Sequence, residues 1–221
     1  EMLRSLVGSE MCIRDRLAFA VYYMTPKWQQ FYKVALYIPV VLPASVVAVM
    51  WKFMLNKDIG LVNTLLRLVG LDNLTHAWIG EKSTALGTVI AVNTWQYIGF
   101  TMVLFYIAMM NISKDVLESA AVDGATKKDL FFNFFLPLTA GTTETNVILS
   151  ISGGMKSFAL FYMLTGGGPG KATTVVAQLI YTTAFVDFKF YRALAMSTVL
   201  FIIILTLVLI SRLIGRRYNY E

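Results

Sequence analysis

Three stretches of this chain carry no charged residue over lengths close to a bilayer crossing: 34–51 between Lys33 and Lys52, 83–113 between Lys82 and Lys114, and 193–211 between Arg192 and Arg212. A hydrocarbon core about 30 Å thick takes about 20 mostly apolar residues as a helix, and backbone groups in lipid must be satisfied within the chain, which leaves helices or closed barrels. Long unbroken apolar runs, in place of ten-residue alternations, select helices. A fourth run, 138–164, is interrupted by Glu144 and Lys156, so that span is expected to face protein or water. Leu17 to Met24 is apolar but too short to cross. It has the pattern of the end of a span whose beginning is missing.

The expected architecture is therefore all-α: a polytopic helical membrane protein with four complete transmembrane helices, 33–55, 83–110, 138–164 and 193–211, plus a truncated stub. Residues 1–16, "EMLRSLVGSEMCIRDR", have neither a signal-peptide core nor amphipathic periodicity. They resemble translated sequencing-adapter read-through, and native sequence, one transmembrane domain over 17–221, is expected to start near Leu17.

Composition narrows the function. Of 221 residues 57% are apolar and 14% charged, above the apolar share and below the charged share of a soluble domain. A single Cys (Cys12) and a single His (His76) supply no disulfide framework and no ligand set for zinc or an iron–sulfur cluster. The net charge of +6 is scattered between apolar runs, which points to lipid headgroups and away from nucleic acid. Lys and Arg are nearly balanced between the two sides, but the basic "RLIGRRYNY" after an uninterrupted span is the kind of tail retained in the cytoplasm. That places residues 112–137 inside.

This insert is unlike its flanks. Ser113 suits an N-cap with Asp115 in the first turn, and Asp123-Gly124 ends the first helix, since Gly takes the left-handed conformation at low cost. Thr126 with Asp129 three residues on is a capping box for a second helix, which presents Leu130, Phe131, Phe134 and Phe135 and is expected to close at Pro137. The aromatic face calls for burial, either under the protein's own spans or in a groove of a soluble partner. Residue pattern alone leaves both open. Apolar segments in the two outer loops, "GLVNTLLRLVGL" and "TTVVAQLIYTTAF", have the spacing of interfacial helices or of a cap over a pathway.

"TGGGPGKA" is not a phosphate loop: it has Thr165 where the pattern needs Gly and Ala172 where it needs a hydroxyl. A glycine–proline turn leaving the membrane is expected there. Charge within the membrane is costly and usually functional. Glu144 lies close enough to the inner interface to snorkel. Lys156, 12 residues or about 18 Å further along a helix, sits among Asn146, Ser150, Ser152 and Ser157, a set able to hydrogen-bond passing hydroxyl groups.

"ESAAVDGA", followed through a helix by Leu136-Pro137, resembles the cytoplasmic E-A-A-x-x-D-G-A loop of permease subunits of binding-protein-dependent ABC importers. "FYKVALYIPVVLPASVVAVMWKFMLNKDIGLVNTLLRLVGL" and "GGMKSFALFYMLTGGGP" resemble the sugar-uptake branch, and the likeness runs from Leu17 to the C-terminus. Two positions depart from that pattern: Ser119 stands where an Ala is usual, and Ala159 where sugar-type members often carry Asp. The resemblance implies a coupling helix-turn-helix seated in a cytoplasmic ATPase subunit, with Glu118, Ser119, Ala120, Asp123, Gly124, Ala125, Phe131, Phe134 and Pro137 at the contact. It implies a substrate pathway past Asn146, Ser150, Lys156 and Ser157. The chain itself would hold no catalytic residue, metal or cofactor, the partner subunit using ATP. A second permease subunit, an extracytoplasmic solute-binding protein and membrane lipid would be its other partners, and the cytoplasmic membrane its location. An ion-coupled secondary transporter is the rival, but no internal repeat and no broken helix is evident from sequence. A membrane-embedded enzyme using Lys156 with Glu144 fails on their separation, too great to share a proton.

Overall fold

Helices account for every regular element of the computed structural model, which describes residues 16–218; the segment 1–15, with Cys12, lies outside the described residues. In chain order these are α1 (residues 16–22), α2 (Pro26–Val41), α3 (Ala44–Met54), α4 (Leu61–Leu68), α5 (Ala85–Met110) and α6 (Lys114–Val122). Then α7 runs as Lys127–Asp129, a π-helical Leu130–Phe135 and Leu136–Leu138, followed by α8 (Ala140–Lys156) and α9 (Ala159–Thr165). The last are α10 (Val176–Tyr181, continued by π-helical Thr182–Val186) and α11 (Phe190–Tyr218).

Two of these are continuous and apolar enough to cross a membrane, α5 over Ala85–Met110 and α11 over Phe190–Leu213. The 26 residues of α5 extend about 39 Å. The other two expected spans are broken, α2 meeting α3 at 98° and α8 meeting α9 at 46°. The straight helix anticipated over 33–55 fails at Pro43, which has no N–H to continue the ladder and which disfavours helical backbone at Leu42. The carbonyl of Leu42 is taken up instead by the Nε2 of Gln96, 3.1 Å away on α5. At the second break Gly153 and Gly154 weaken the end of α8, and Phe158 leaves helical geometry at φ −132°, ψ −57°. Breaks were not foreseen from the sequence, and they arise where backbone propensity gives way to packing.

The chain divides into two compact units. In the unit of residues 39–96 and 153–204, Val47, Ala48 and Leu55 of the α3 region pack with Val89 and Val92 of α5 and with Leu160, Phe161 and Leu164 of α9. The loop after α3 is tied by buried Asn63, whose Nδ2 donates to the carbonyls of Lys57 and His76, both at 3.0 Å, while Trp78 Nε1 donates to its Oδ1 at 2.7 Å. The glycine–proline turn is closed by its own neighbours. Gln178 Nε2 donates to the Gly166 carbonyl at 2.8 Å, and the Thr173 hydroxyl to the Gly168 carbonyl at 2.8 Å.

In the unit of residues 16–38, 97–152 and 205–218, α1, α5, α6 and α7 share one core: Ala18, Val21, Met102, Phe105, Tyr106, Met109, Ala120, Leu130 and Phe135. Here α2 and α5 touch backbone to backbone. A Cβ added at Gly99 would overlap the Leu36 carbonyl, so glycine is required for this approach.

Candidate coupling site

The segment between α5 and α8 is built from two local stop-and-start signals. Helix α6 ends at Gly124, at φ +83°, with Asp123 N–H bonded to the Ser119 carbonyl and Ala125 N–H to the Ala120 carbonyl, both at 3.0 Å. The second bond, spanning five residues around a left-handed glycine, is the closure of a Schellman motif. Thr126 then caps α7 reciprocally, its N–H donating to Asp129 Oδ2 at 2.9 Å while its hydroxyl accepts from Asp129 N–H at 3.4 Å. The Thr126 hydroxyl also donates to Asp129 Oδ2 at 2.5 Å. This hydroxyl first, and the Thr126 N–H second, hold the Asp129 carboxyl below its ordinary pKa, because both bonds favour the charged form.

Within α7 the turn widens. A π-helix bonds i to i+5, so over "LFFNFF" it is Leu130, Phe131 and Phe135 that are buried together, with Phe134 half-buried and Phe132 56% exposed. Phe19 of α1 supplies their floor, with ring centroids 5.0 Å from Phe131 and 5.4 Å from Phe135, and Tyr22 lies 5.3 Å from Phe135, all in edge-on geometry. Such pairs add about 0.5–1.5 kcal/mol beyond area burial. The aromatic face thus packs under its own chain. Pro137 is exposed, and helical geometry persists past it to Leu138 before turning at Thr139.

The residues singled out from the sequence fall on two sides of this platform. Ala120 and Phe131 are inside; Ala125 and Phe134 are half-covered; Glu118, Ser119, Asp123, Gly124 and Pro137 face outward. The hydroxyl of Ser119 donates to the Asp115 carbonyl one turn back. The outward face also carries two apolar side chains that sequence reasoning missed, Val122, 87% exposed beside the turn, and Phe132. Their signal was available: an apolar residue directly before Asp-Gly, and a phenylalanine opposite the Leu130 face.

On α8, Asn146 is fully buried with neither amide atom hydrogen-bonded, and Ser150, one turn on, is half-buried; both belong to the unit that holds α6 and α7. Lys156, exposed, and Ser157, half-buried, belong to the other.

Two continuous apolar helices, two bent pairs that would each make a further crossing, and a capped helix-turn-helix between them give an all-helical chain of the multi-pass membrane class. Residues 17–220 match the model of the family described as "Binding-protein-dependent transport system inner membrane component", and the chain belongs to that family. It is 38% identical over 185 residues to the probable ABC transporter permease protein YurN of Bacillus subtilis, covering 84% of this chain and 63% of YurN. It is 31% identical to the diacetylchitobiose uptake system permease protein NgcF of Streptomyces coelicolor, covering 84% of this chain and 53% of NgcF. The chain therefore spans less than two thirds of these relatives. In fold it is similar to a chain of a bacterial alginate ABC transporter, crystallised with an alginate pentasaccharide-bound periplasmic protein. That likeness has a TM-score of 0.86 at 22% identity and covers 98% of this chain and 77% of that one.

Proposed function

We propose that this chain is a permease subunit of an ATP-driven importer in the cytoplasmic membrane, one of a pair that passes a sugar or related polyol between them. Its crossings are α2 with α3, α5, α8 with α9, and α11, and α6 with α7 is the coupling helix-turn-helix. ATP is bound and hydrolysed by separate cytoplasmic subunits, and an extracytoplasmic solute-binding protein delivers the cargo. Family membership and the name of NgcF, a diacetylchitobiose uptake permease, support the class of solute. The buried amide of Asn146, which makes no hydrogen bond of its own, with half-buried Ser150 one turn on, supports a polar stretch of α8 suited to hydroxyl groups.

One observation carries the coupling role. The α6–α7 turn leads into a helix packed beneath on Phe19 and Tyr22, yet presents bare Val122 between outward-facing Glu118 and Asp123. Burying such a side chain in a partner contributes roughly 1.5–3 kcal/mol, and the two carboxylates set register. A push on this platform is carried into the core that it shares with α5, a rigid-body switch between two arrangements.

The test is crosslinking from a cysteine at Val122 or Asp123 in the assembled complex, with solute uptake measured in parallel. Crosslinks are expected to a nucleotide-hydrolysing subunit, and uptake is expected to require ATP and survive collapse of the ion gradient. Crosslinks to lipid or to this chain alone would refute the coupling role. Uptake that collapses with the gradient would favour an ion-coupled carrier, a class in which broken helices of the kind seen at Pro43 and Phe158 are common.

A further inference from the structure

Helix α1 lies between the coupling platform and the spans. On one side Phe19 and Tyr22 meet Phe131 and Phe135, and the Lys127 ammonium stands 5.1 Å from the Tyr23 ring centroid. On the other side one residue holds the end of the helix. Gln29 of α2 donates through Nε2 to the carbonyls of Tyr22, 2.8 Å, and Met24, 2.9 Å, groups that a helix end leaves without an intrahelical partner. Its Oε1 accepts from the Tyr106 hydroxyl of α5 at 3.0 Å. Tyr106 is buried with Met102, Phe105 and Met109, and Lys33, one turn after Gln29, stands 4.2 Å over the Tyr106 ring.

This is a use for which few side chains qualify. A primary amide offers two donors and an acceptor on one plane; a carboxylate has no donor, and an aliphatic residue has neither. Aromatic packing between α1 and α7 is broad and tolerates sliding, whereas three directed bonds fix where the turn after α1 sits against α2 and α5. We propose that Gln29 is a positioning residue for coupled transport: it joins residues 16–24, α2 and α5 into one body with α7, so that displacement delivered at the Val122–Asp123 tip moves both spans. This rests on the coupling reading above.

The experiment compares wild type, Gln29→Leu, Tyr106→Phe and the double variant in the complete complex, with its ATPase subunits and binding protein, in proteoliposomes. The primary readout is solute moved per ATP hydrolysed. Gln29→Leu, which deletes all three bonds, is expected to assemble and hydrolyse ATP while moving at least about tenfold less solute per ATP, a factor that one to two hydrogen bonds of ordinary net strength already supply. Tyr106→Phe, which removes a single oxygen, should lie between it and wild type, and the double variant should be no worse than Gln29→Leu, because both delete the same bond. Spin labels at Lys128 and Gln30, both exposed, supply the second readout. Their separation should be unchanged by nucleotide in wild type, and nucleotide-dependent or broadened in Gln29→Leu. An unchanged transport ratio in Gln29→Leu, or label distances identical to wild type, overturns the proposal. Should Gln29→Leu fail to assemble, a wild-type ratio in Tyr106→Phe overturns it equally. A wild-type complex that shows no ATP-driven uptake at all removes the coupling reading itself, a separate and recognisable result.

Discussion

Substituting Gly124 isolates one physical cost. The residue lies at φ +83°, and a Cβ built there meets no atom within 4 Å, so the penalty is conformational and not a clash. Left-handed backbone costs an ordinary L-residue roughly 1–2 kcal/mol, while Asn tolerates it through local hydrogen bonding. Valine adds a branched side chain that is a genuine outlier at positive φ. Since each 1.4 kcal/mol is about a factor of ten in a population, Gly124→Ala should open the Schellman closure about tenfold more often. Gly124→Asn should stay within about threefold of wild type, and Gly124→Val should exceed Ala. Hydrogen exchange at the Ala125 amide reads this directly, because that N–H makes the closing bond to the Ala120 carbonyl. Ligand-stimulated ATPase and uptake measured on the same variants should fall in the order Asn, Ala, Val, with uptake falling further than hydrolysis. Equal losses for Asn and Val, or exchange unaltered in Ala, would refute the backbone explanation; full uptake in Val would remove Gly124 from the coupling machinery.

Two further outcomes follow from neighbouring geometry. The folded pKa of Asp129 is depressed by its bonds to Thr126, so the contribution of the cap is fully present above the ordinary aspartate value of about 3.9 and is lost as pH falls through the lower folded value. Exchange at the first amides of α7 should be flat in pH above that range after correction for intrinsic rate and accelerate below it. Asp129→Asn should abolish the pH dependence. By contrast, Gly99→Ala forces a methyl into the Leu36 carbonyl and should lower the melting temperature of the purified protein by the equivalent of about 3 kcal/mol, far beyond Gly124→Ala, whose added methyl meets open space.

The parts of the α6–α7 segment that were readable in advance are those fixed within five residues. Ser119 to Ala125 closes on Gly124, and Thr126 finds Asp129 three positions away. Their partners are local, so spacing alone names them. The burial of Phe131 and Phe135 was not readable, because their floor, Phe19 and Tyr22, lies more than a hundred positions earlier in the chain, and either a foreign groove or the protein's own helix would satisfy the same pattern. The π-helical widening that turns Phe132 outward is likewise invisible to a rule of 3.6 residues per turn. Pro43 was in plain view, yet a proline within an apolar run is compatible with a kinked span or a sharp corner. The corner of 98° is selected by what α3 packs against, namely Leu160, Phe161 and Leu164. Helices α4 and α10 formed where helical spacing had pointed, although their buried polar anchors, Asn63 and Gln178, stood in the sequence as ordinary amides.

The bond from Gln96 to the Leu42 carbonyl binds the fates of two distant positions. Replacing Pro43 by a helix-former would let the ladder reclaim that carbonyl and would strand a glutamine amide in a dry interior; replacing Gln96 by leucine would leave the corner carbonyl unsatisfied in the same place. Each change alone is costly, and only the two together offer a route to a straight helix. A designer wishing to rigidify this protein, or a lineage drifting away from the bend, must cross that barrier in a paired step.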